Sequence, residues 1–334
     1  MMRMILLALV GSGMVWQALV PGLIGAQPVI LPQLDAKEVR WTGLSYRAKN
    51  LWVDVTTDVH LTSSSEAEVQ TALIQNRQGS AIRIPAAGAY RLINHTIIDS
   101  IFQSPVKIEN QTWFDSKDAT VFGRNRLRRG DDDFQKVYRF AQEGVFRHRR
   151  EPQDQQEARQ APEKWTDVRD TFYSYDLARL GCPNVSERLT LIYIVSAIGR
   201  LEDDKPYLFC IFGKRQLFQV ALKSAGLHEV ETDYTIDQRG SKHHHQGDIS
   251  AQAIELEARP FKSDLEETEN FSFLGLHKNI VFYMEPSSNL PVQISGEIRT
   301  AGQATLKLHT APLKYTQASS TGQRLLQRLL SLQT

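Results

Sequence analysis

VRWTGLSYRAKNLWVDVTTDVHL, residues Val39–Leu61, decides the fold class. Leu51, Val53 and Val55 alternate with polar or charged partners, and Val59 and Leu61 resume the alternation. A period of two marks a half-buried antiparallel strand. The same pattern predicts short strands in SAIRIP (Ser80–Pro85), AYRLINHTIID (Ala89–Asp99), SPVKIENQTWF (Ser104–Phe114) and ATVFGRN (Ala119–Asn125). KVYRFA and GVFRHRR, around Glu143–Gly144, read as a hairpin. Strands return in KPYLFCIFG, QLFQVALKS, HEVETDYTI and AQAIELEAR, then in KNIVFYME, LPVQISGEI and QATLKLHTA. Turns at PSSNLP and TAGQ separate the last three, giving an antiparallel meander rather than a strand-helix-strand series.

One internal segment changes period. In SERLTLIYIVSAIG (Ser186–Gly199), Leu189, Ile192, Val195 and Ile198 recur at helical spacing, with Leu191 and Ile194 broadening the apolar face. Asn184 or Ser186 is the expected N-cap and Gly199 the expected stop. The fold expected is therefore mainly β: a curved antiparallel sheet partly wrapping a short helix. A second, amphipathic helix over 319–334 is expected to cover a sheet edge or open core through Leu325, Leu326, Leu329 and Leu330.

The chain opens MMRMILLALVGSGMVWQALVPGLIGAQ. Arg3, the apolar run Ile5–Leu19 and the small pair Gly25–Ala26 read as a signal peptide over 1–26, with an uncleaved anchor as the other reading. Losing Arg3 from 39 basic residues leaves 38 against 38 acidic ones, which argues against a dedicated nucleic-acid or anionic-membrane binder. No later run is long enough for a membrane helix. The expected organisation is a β region over 27–148, a polar loop or linker over 149–164 in which Gln155–Arg159 has room for one helical turn, and a second β region over 165–318. An oxidising compartment permits a Cys182–Cys210 bridge; two buried free thiols are the alternative.

FYSYD, ending at Asp176, followed by SERLTLIYIVSAIGR, ending at Arg200, and then IVFYMEPSSNLPVQISGEIRTAGQATLKL resemble DUF3108, a family of exported bacterial proteins of unknown function. Tyr283, Glu285, Leu290–Pro291–Val292, Gly302 and Leu306 carry the second half of that resemblance. It implies an exported β-rich domain and no particular reaction.

The chemistry-bearing clusters are weak. His243, His244 and His245, with Asp248 and His228, lack a compact zinc spacing and read as a solvent loop. In RLRRGDDDF, Arg126, Arg128 and Arg129 are able to bind phosphate or carboxylate, but the contiguous opposite charges read as a solvated turn with local salt bridges. Asp264, Glu266, Glu267 and Glu269 read as a surface loop. No nucleophile elbow accompanies Ser174 or Ser196, and no phosphate-binding glycine loop is present. No catalytic residue, metal or cofactor is expected. The expected function is noncatalytic periplasmic or secreted binding or envelope assembly, with an apolar small molecule or an envelope protein segment as ligand. Tyr207, Phe209, Phe218, Phe282 and Met284 are the nominated lining, although each also suits an ordinary core. An envelope hydrolase or polysaccharide-processing enzyme with a dispersed site, and a structural scaffold, are the other readings.

Overall fold

The computed structural model describes residues 33–49, 53–74, 78–101, 103–202, 205–261, 271–298 and 302–314. The signal peptide over 1–26, the helix over 319–334 and the acidic cluster Asp264–Glu269 lie outside the described residues.

Eight strands form the first run: β1 (Gly43–Lys49), β2 (Val53–Ser64), β3 (Ala89–Ser100), β4 (Gln103–Phe114), β5 (Val121–Arg129), β6 (Phe134–Ala141), β7 (Gly144–Glu151) and β8 (Asp167–Ser174). The second run comprises β9 (Ser186–Glu187), β10 (Tyr207–Phe212), β11 (Leu217–Gln238), β12 (Ser241–Pro260), β13 (Lys278–Glu285), β14 (Leu290–Ile298) and β15 (Gly302–Pro312). All belong to one large curved sheet, in the order β8-β7-β6-β5-β4-β3-β2-β1-β15-β14-β13-β12-β11-β10-β9. The two β regions on either side of residues 149–164 are thus joined twice, by β7–β8 and by β1–β15. Most neighbours are antiparallel, but β9–β10 and β11–β15 are parallel, so the sheet is mixed.

The β11–β15 pairing sets the curvature. β11 is one strand where the sequence suggests two. A bulge between Ser224 and Leu227, with Gly226 at φ 83°, bends it. Its far end then reaches β15, pairing Thr235 with Thr310 and Ile236 with Ala311. Strands β11 to β15 therefore close on themselves.

Among the described residues, four short helices are embedded in this sheet: α1 (Glu66–Ala72), α2 (Gln155–Ala158), α3 (Leu177–Leu180) and α4 (Leu191–Ile198). A 3-10 turn, Arg188–Thr190, leads into α4, and every residue from Leu191 to Ala197 is buried. A helix apolar on all sides has to sit inside a core. Its two polar atoms are satisfied there: Trp41 Nε1 donates to Ser196 Oγ (3.0 Å), and the Tyr193 hydroxyl donates to the Ser116 carbonyl (2.6 Å). Tyr193 also stands edge-on to Phe114 and Tyr90. Neither expected N-cap serves α4. Asn184 Nδ2 donates to the Asp118 carbonyl and the Ser186 hydroxyl to that of Ala119, anchoring the approach to β9 instead. Gly199 ends the helix as expected, at φ 70°.

Other expectations need correction. Ser80–Pro85 is no strand; it contributes a lone bridge between Ala81 and Ala141. The polar segment begins after Glu151, because β7 runs through residues 149–151, and Gln155–Ala158 does form one helical turn. The histidine run is not a loop. Residues 241–248 belong to β12 and are exposed; β13 pairs with β12 only over Gln252–Leu256, which leaves this stretch an open edge. On the outer face, α1 starts with a capping box in which the Ser65 N–H donates to Glu68 Oε2 and the Glu68 N–H to Ser65 Oγ. It packs Val69 against Trp113 and Phe122, a small second core. Gly123 permits this close approach, since a Cβ there would lie 2.2 Å from Leu73 Cδ2.

A cationic concavity on the inner sheet face

Alternation along β3–β8 splits the inner face into two halves. Nearest α4 it is apolar and aromatic: Leu92, Phe114, Val121, Phe140 and Val145 are buried, and Phe140, Tyr138 and Tyr173 surround Phe212. Two residues further along each strand the same face becomes cationic. The register aligns Asn94, Asn110, Arg126, Lys136, Arg149 and Arg169 directly opposite one another across six consecutive strands. A second row aligns Thr112, Arg124, Tyr138, Arg147 and Thr171. Directly opposed residues share a face and their side chains touch, so like charges in these positions repel.

Aromatic rings and a few acids hold the cations in place. Lys136 Nζ sits 3.8 Å from the centre of the Phe134 ring, and the guanidinium groups of Arg126 and Arg149 lie 5.7 and 5.8 Å from the same ring. Arg124 stacks 4.0 Å over Tyr138 and Arg147 5.2 Å over Tyr173. Arg124 also pairs with Glu187 at 2.9 Å, both being almost wholly buried, while Arg149 pairs with Glu151 and Arg169 with Asp167. These acids leave donors over. The Nε–H groups of Arg124, Arg126, Arg147 and Arg149 are sealed from solvent without a hydrogen-bond partner among the described residues. Four such groups on one face are costly. Beside them a cavity of about 200 Å³ is lined by Asn94, Asn110, Arg126, Arg188 and Lys214, with Ile98 and Leu274 also in its wall.

The electrostatics follow the geometry. Burial, followed by the nearby charges of Arg188 and Arg124, lowers Arg126 to about 10, which leaves it protonated at neutral pH. Burial, followed by Arg149, Arg126, Arg147 and Arg124, lowers Lys136 from 10.5 to about 7. Between these two values the unfolded chain holds a proton that the folded chain does not, so stability rises with pH across that window. Below pH 7 both states carry the proton, and the full penalty of a buried charge among guanidinium groups is present. Denaturant midpoints at pH 7, 8.5 and 10 should therefore climb for the wild type and flatten for Lys136→Met. Equal pH slopes in the two proteins would rule out this environment for Lys136.

The sequence pointed elsewhere. Phe209, Phe218, Phe282 and Met284 are buried in the main core and Tyr207 is half-buried against it. None of the five lines the cavity beside the cations. Cys182 and Cys210 are joined by a disulfide, Cα to Cα 6.0 Å. The arginine-aspartate stretch is only in part a solvated turn. Arg128 pairs with Asp132 and Arg129 with Asp133, but Arg126 points into the concavity, because strand alternation carries it inward with Arg124 and Arg128. Arg129 turns to the other face and lies 4.4 Å over Trp165. His244 meets Asp233 at 3.5 Å and His245 stacks on Tyr234, and no cluster of three metal-ligating side chains occurs among the described residues. Cations spaced two apart in β5 and β7, with Lys136 between them, are the sequence signal of this face, one that apolar alternation does not carry.

Among the described residues, no helix is long and apolar enough to cross a membrane. No family model matches the chain, and no curated protein matches it. Among solved structures, a beta-barrel-like protein of domain of unknown function DUF1849 from Brucella abortus is similar at 10% identity, with a TM-score of 0.44, over 83% of this chain and 100% of that one.

Proposed function

We propose that this is a noncatalytic binding protein that takes an anionic ligand on the cationic half of its inner face. The observation that carries this reading is the set of four buried guanidinium Nε–H groups left over after Glu187, Glu151 and Asp167 have been used. A face that opposes Arg126, Lys136 and Arg149 costs the free protein stability. That cost is offset when an anion fills it. The reading replaces the apolar ligand with an anionic one, since the nominated aromatic lining is core. We further propose an exported protein, periplasmic or secreted. The leader-like Met1–Ala26, the Cys182–Cys210 bridge and the DUF3108 resemblance support that setting.

The test separates a binding face from a structural one. Thermal unfolding is followed with tripolyphosphate, citrate or no anion at low salt. The anions should raise the wild-type midpoint. Without anion, Arg126→Gln should unfold about 1–3 °C higher than the wild type, because one opposed charge is gone. With anion, it should lose most of the rise. A variant that melts lower yet keeps the full anion response would make Arg126 a structural residue and remove the proposed site.

A further inference from the structure

We infer that the ligand is a phosphorylated polyol, its phosphoryl group held between Arg126, Lys136 and Arg149 and its hydroxyl groups by Asn94, Asn110 and Thr96. This rests on the anion-binding reading above and names the ligand class for the same site.

Three observations carry it. First, the cations converge. Arg126, Lys136 and Arg149 are direct neighbours across three strands and crowd round the single ring of Phe134. Strands lie about 4.8 Å apart, so three cationic groups reach one tetrahedral anion rather than several spread charges. A phosphate monoester brings nearly two negative charges and three acceptor oxygens to these three cationic groups; a carboxylate brings one charge and two oxygens. Second, the same row continues as neutral amides. Asn110 is opposite Arg126, and Asn94 opposite Asn110. Asn110 Nδ2 donates to Asn94 Oδ1, Asn94 Nδ2 to Thr57 Oγ1, and the Thr96 hydroxyl to Asn94 Oδ1. This fixed amide-hydroxyl ladder lines the cavity together with Arg124, Arg126, Arg188, Lys214 and Glu187, and a polyol offers it matching donors and acceptors; Lys136 and Arg149 follow Arg126 along the row, beyond that lining. Third, proton uptake is built in. Lys136 faces Arg124 and Arg126 from β5 and Arg147 and Arg149 from β7, with Glu187 beyond the first pair and Glu151, Asp167 and Arg169 beyond the second. An adjacent dianion opposes the burial and the repulsion that together lower its proton affinity.

The experiment is calorimetric titration of the full chain at low salt with glycerol phosphate, inorganic phosphate, glycerate and glycerol, from pH 5 to 9. Glycerol phosphate should bind about tenfold or more tighter than glycerate, the worth of one further charge-assisted hydrogen bond. It should also bind more tightly than inorganic phosphate, and glycerol should not bind. Its affinity should peak between the second phosphate ionisation, near pH 6, and the loss of the Lys136 proton at about 7, then fall about tenfold per pH unit. Lys136→Met should weaken binding and abolish the alkaline fall. Arg126→Gln should weaken binding and keep it. Vesicles of phosphatidylcholine doped with phosphatidic acid give the source. Tighter binding to them than to glycerol phosphate makes the ligand a lipid headgroup, and no binding makes it a free solute; either upholds the phosphoryl assignment. Equal affinity for glycerate and glycerol phosphate, or an alkaline fall that survives in Lys136→Met, overturns this inference while leaving an anion site. Failure of every anion to bind overturns both.

Discussion

Glu187→Ala is expected to destabilise the fold by about 3–5 kcal/mol, the cost of leaving one member of a buried ion pair alone. Arg124 and Glu187 are 4% and 2% exposed and meet at 2.9 Å. The second carboxylate oxygen, Oε1, accepts from the Thr112 hydroxyl at 2.8 Å, and the Glu187 carbonyl accepts from Thr190 Oγ1 as the chain turns toward α4. Removing the carboxylate strips Thr112 of its acceptor and adds an uncompensated charge beside Arg126. Arg124 has no route to water, and deprotonation is closed to it. Replacing both partners, Arg124→Met with Glu187→Met, should return most of the loss, because an apolar pair of similar volume avoids both desolvation costs. Urea unfolding of the two single variants and the double variant measures the coupling. A single-variant loss below about 1 kcal/mol would mean that the pair is screened like a surface bridge. Anion binding offers a separate readout. If the cationic face is a site, phosphate should restore part of the lost stability in Glu187→Ala and add less to the wild type.

That pair also shows what sequence reading reaches and where it stops. Strands β13, β14 and β15 were legible nearly to the residue, because each alternates cleanly and glycine or proline-bearing turns bound it. β11 was read as two strands for a physical reason. Its bulge at Ser224–Leu227 inserts residues that shift the phase of the alternation, so the period-two pattern breaks there. The histidine end of β12 was lost differently. Both of its faces meet solvent, and an element without a buried face has no apolar alternation to read. For α4 the helix was legible and its start was not. Asn184 and Ser186 have the chemistry of caps, but tertiary partners at Asp118 and Ala119 claim them first. The site was hidden in the same way. Arg124, Arg126 and Arg128 are visible as an alternating triplet, yet the surroundings of Arg124 and Arg126 are decided by Glu187 of β9 and the Arg188 turn, which reach them from far along the chain.

The disulfide bears on the same geometry, and removing it with Cys182→Ser and Cys210→Ser together is expected to cost about 3–4 kcal/mol in the loop-entropy view. The two cysteines are 28 positions apart. Between them lie β9 and α4, the segment that carries Glu187 under Arg124. β9 has only two residues, held to β10 by the pairs Ser186–Ile211 and Glu187–Phe212. So short a parallel pairing has little cooperativity of its own. The bridge reaches β10 at Cys210, one residue from the first of those pairs, and fixes the approach to β9 before the chain enters the core. Breaking it releases the chain entropy of the loop and also loosens the carboxylate that neutralises Arg124. Two measurements separate these effects. Denaturant midpoints with and without reductant should differ for the wild type and coincide for the double-serine protein. Anion affinity should change in the double-serine protein even where it is fully folded, because the charge balance of the face depends on where Glu187 sits. A double-serine protein with wild-type stability would show that packing around α4 alone defines β9, and unchanged anion affinity would show that the Arg124–Glu187 pair holds its position without the bridge.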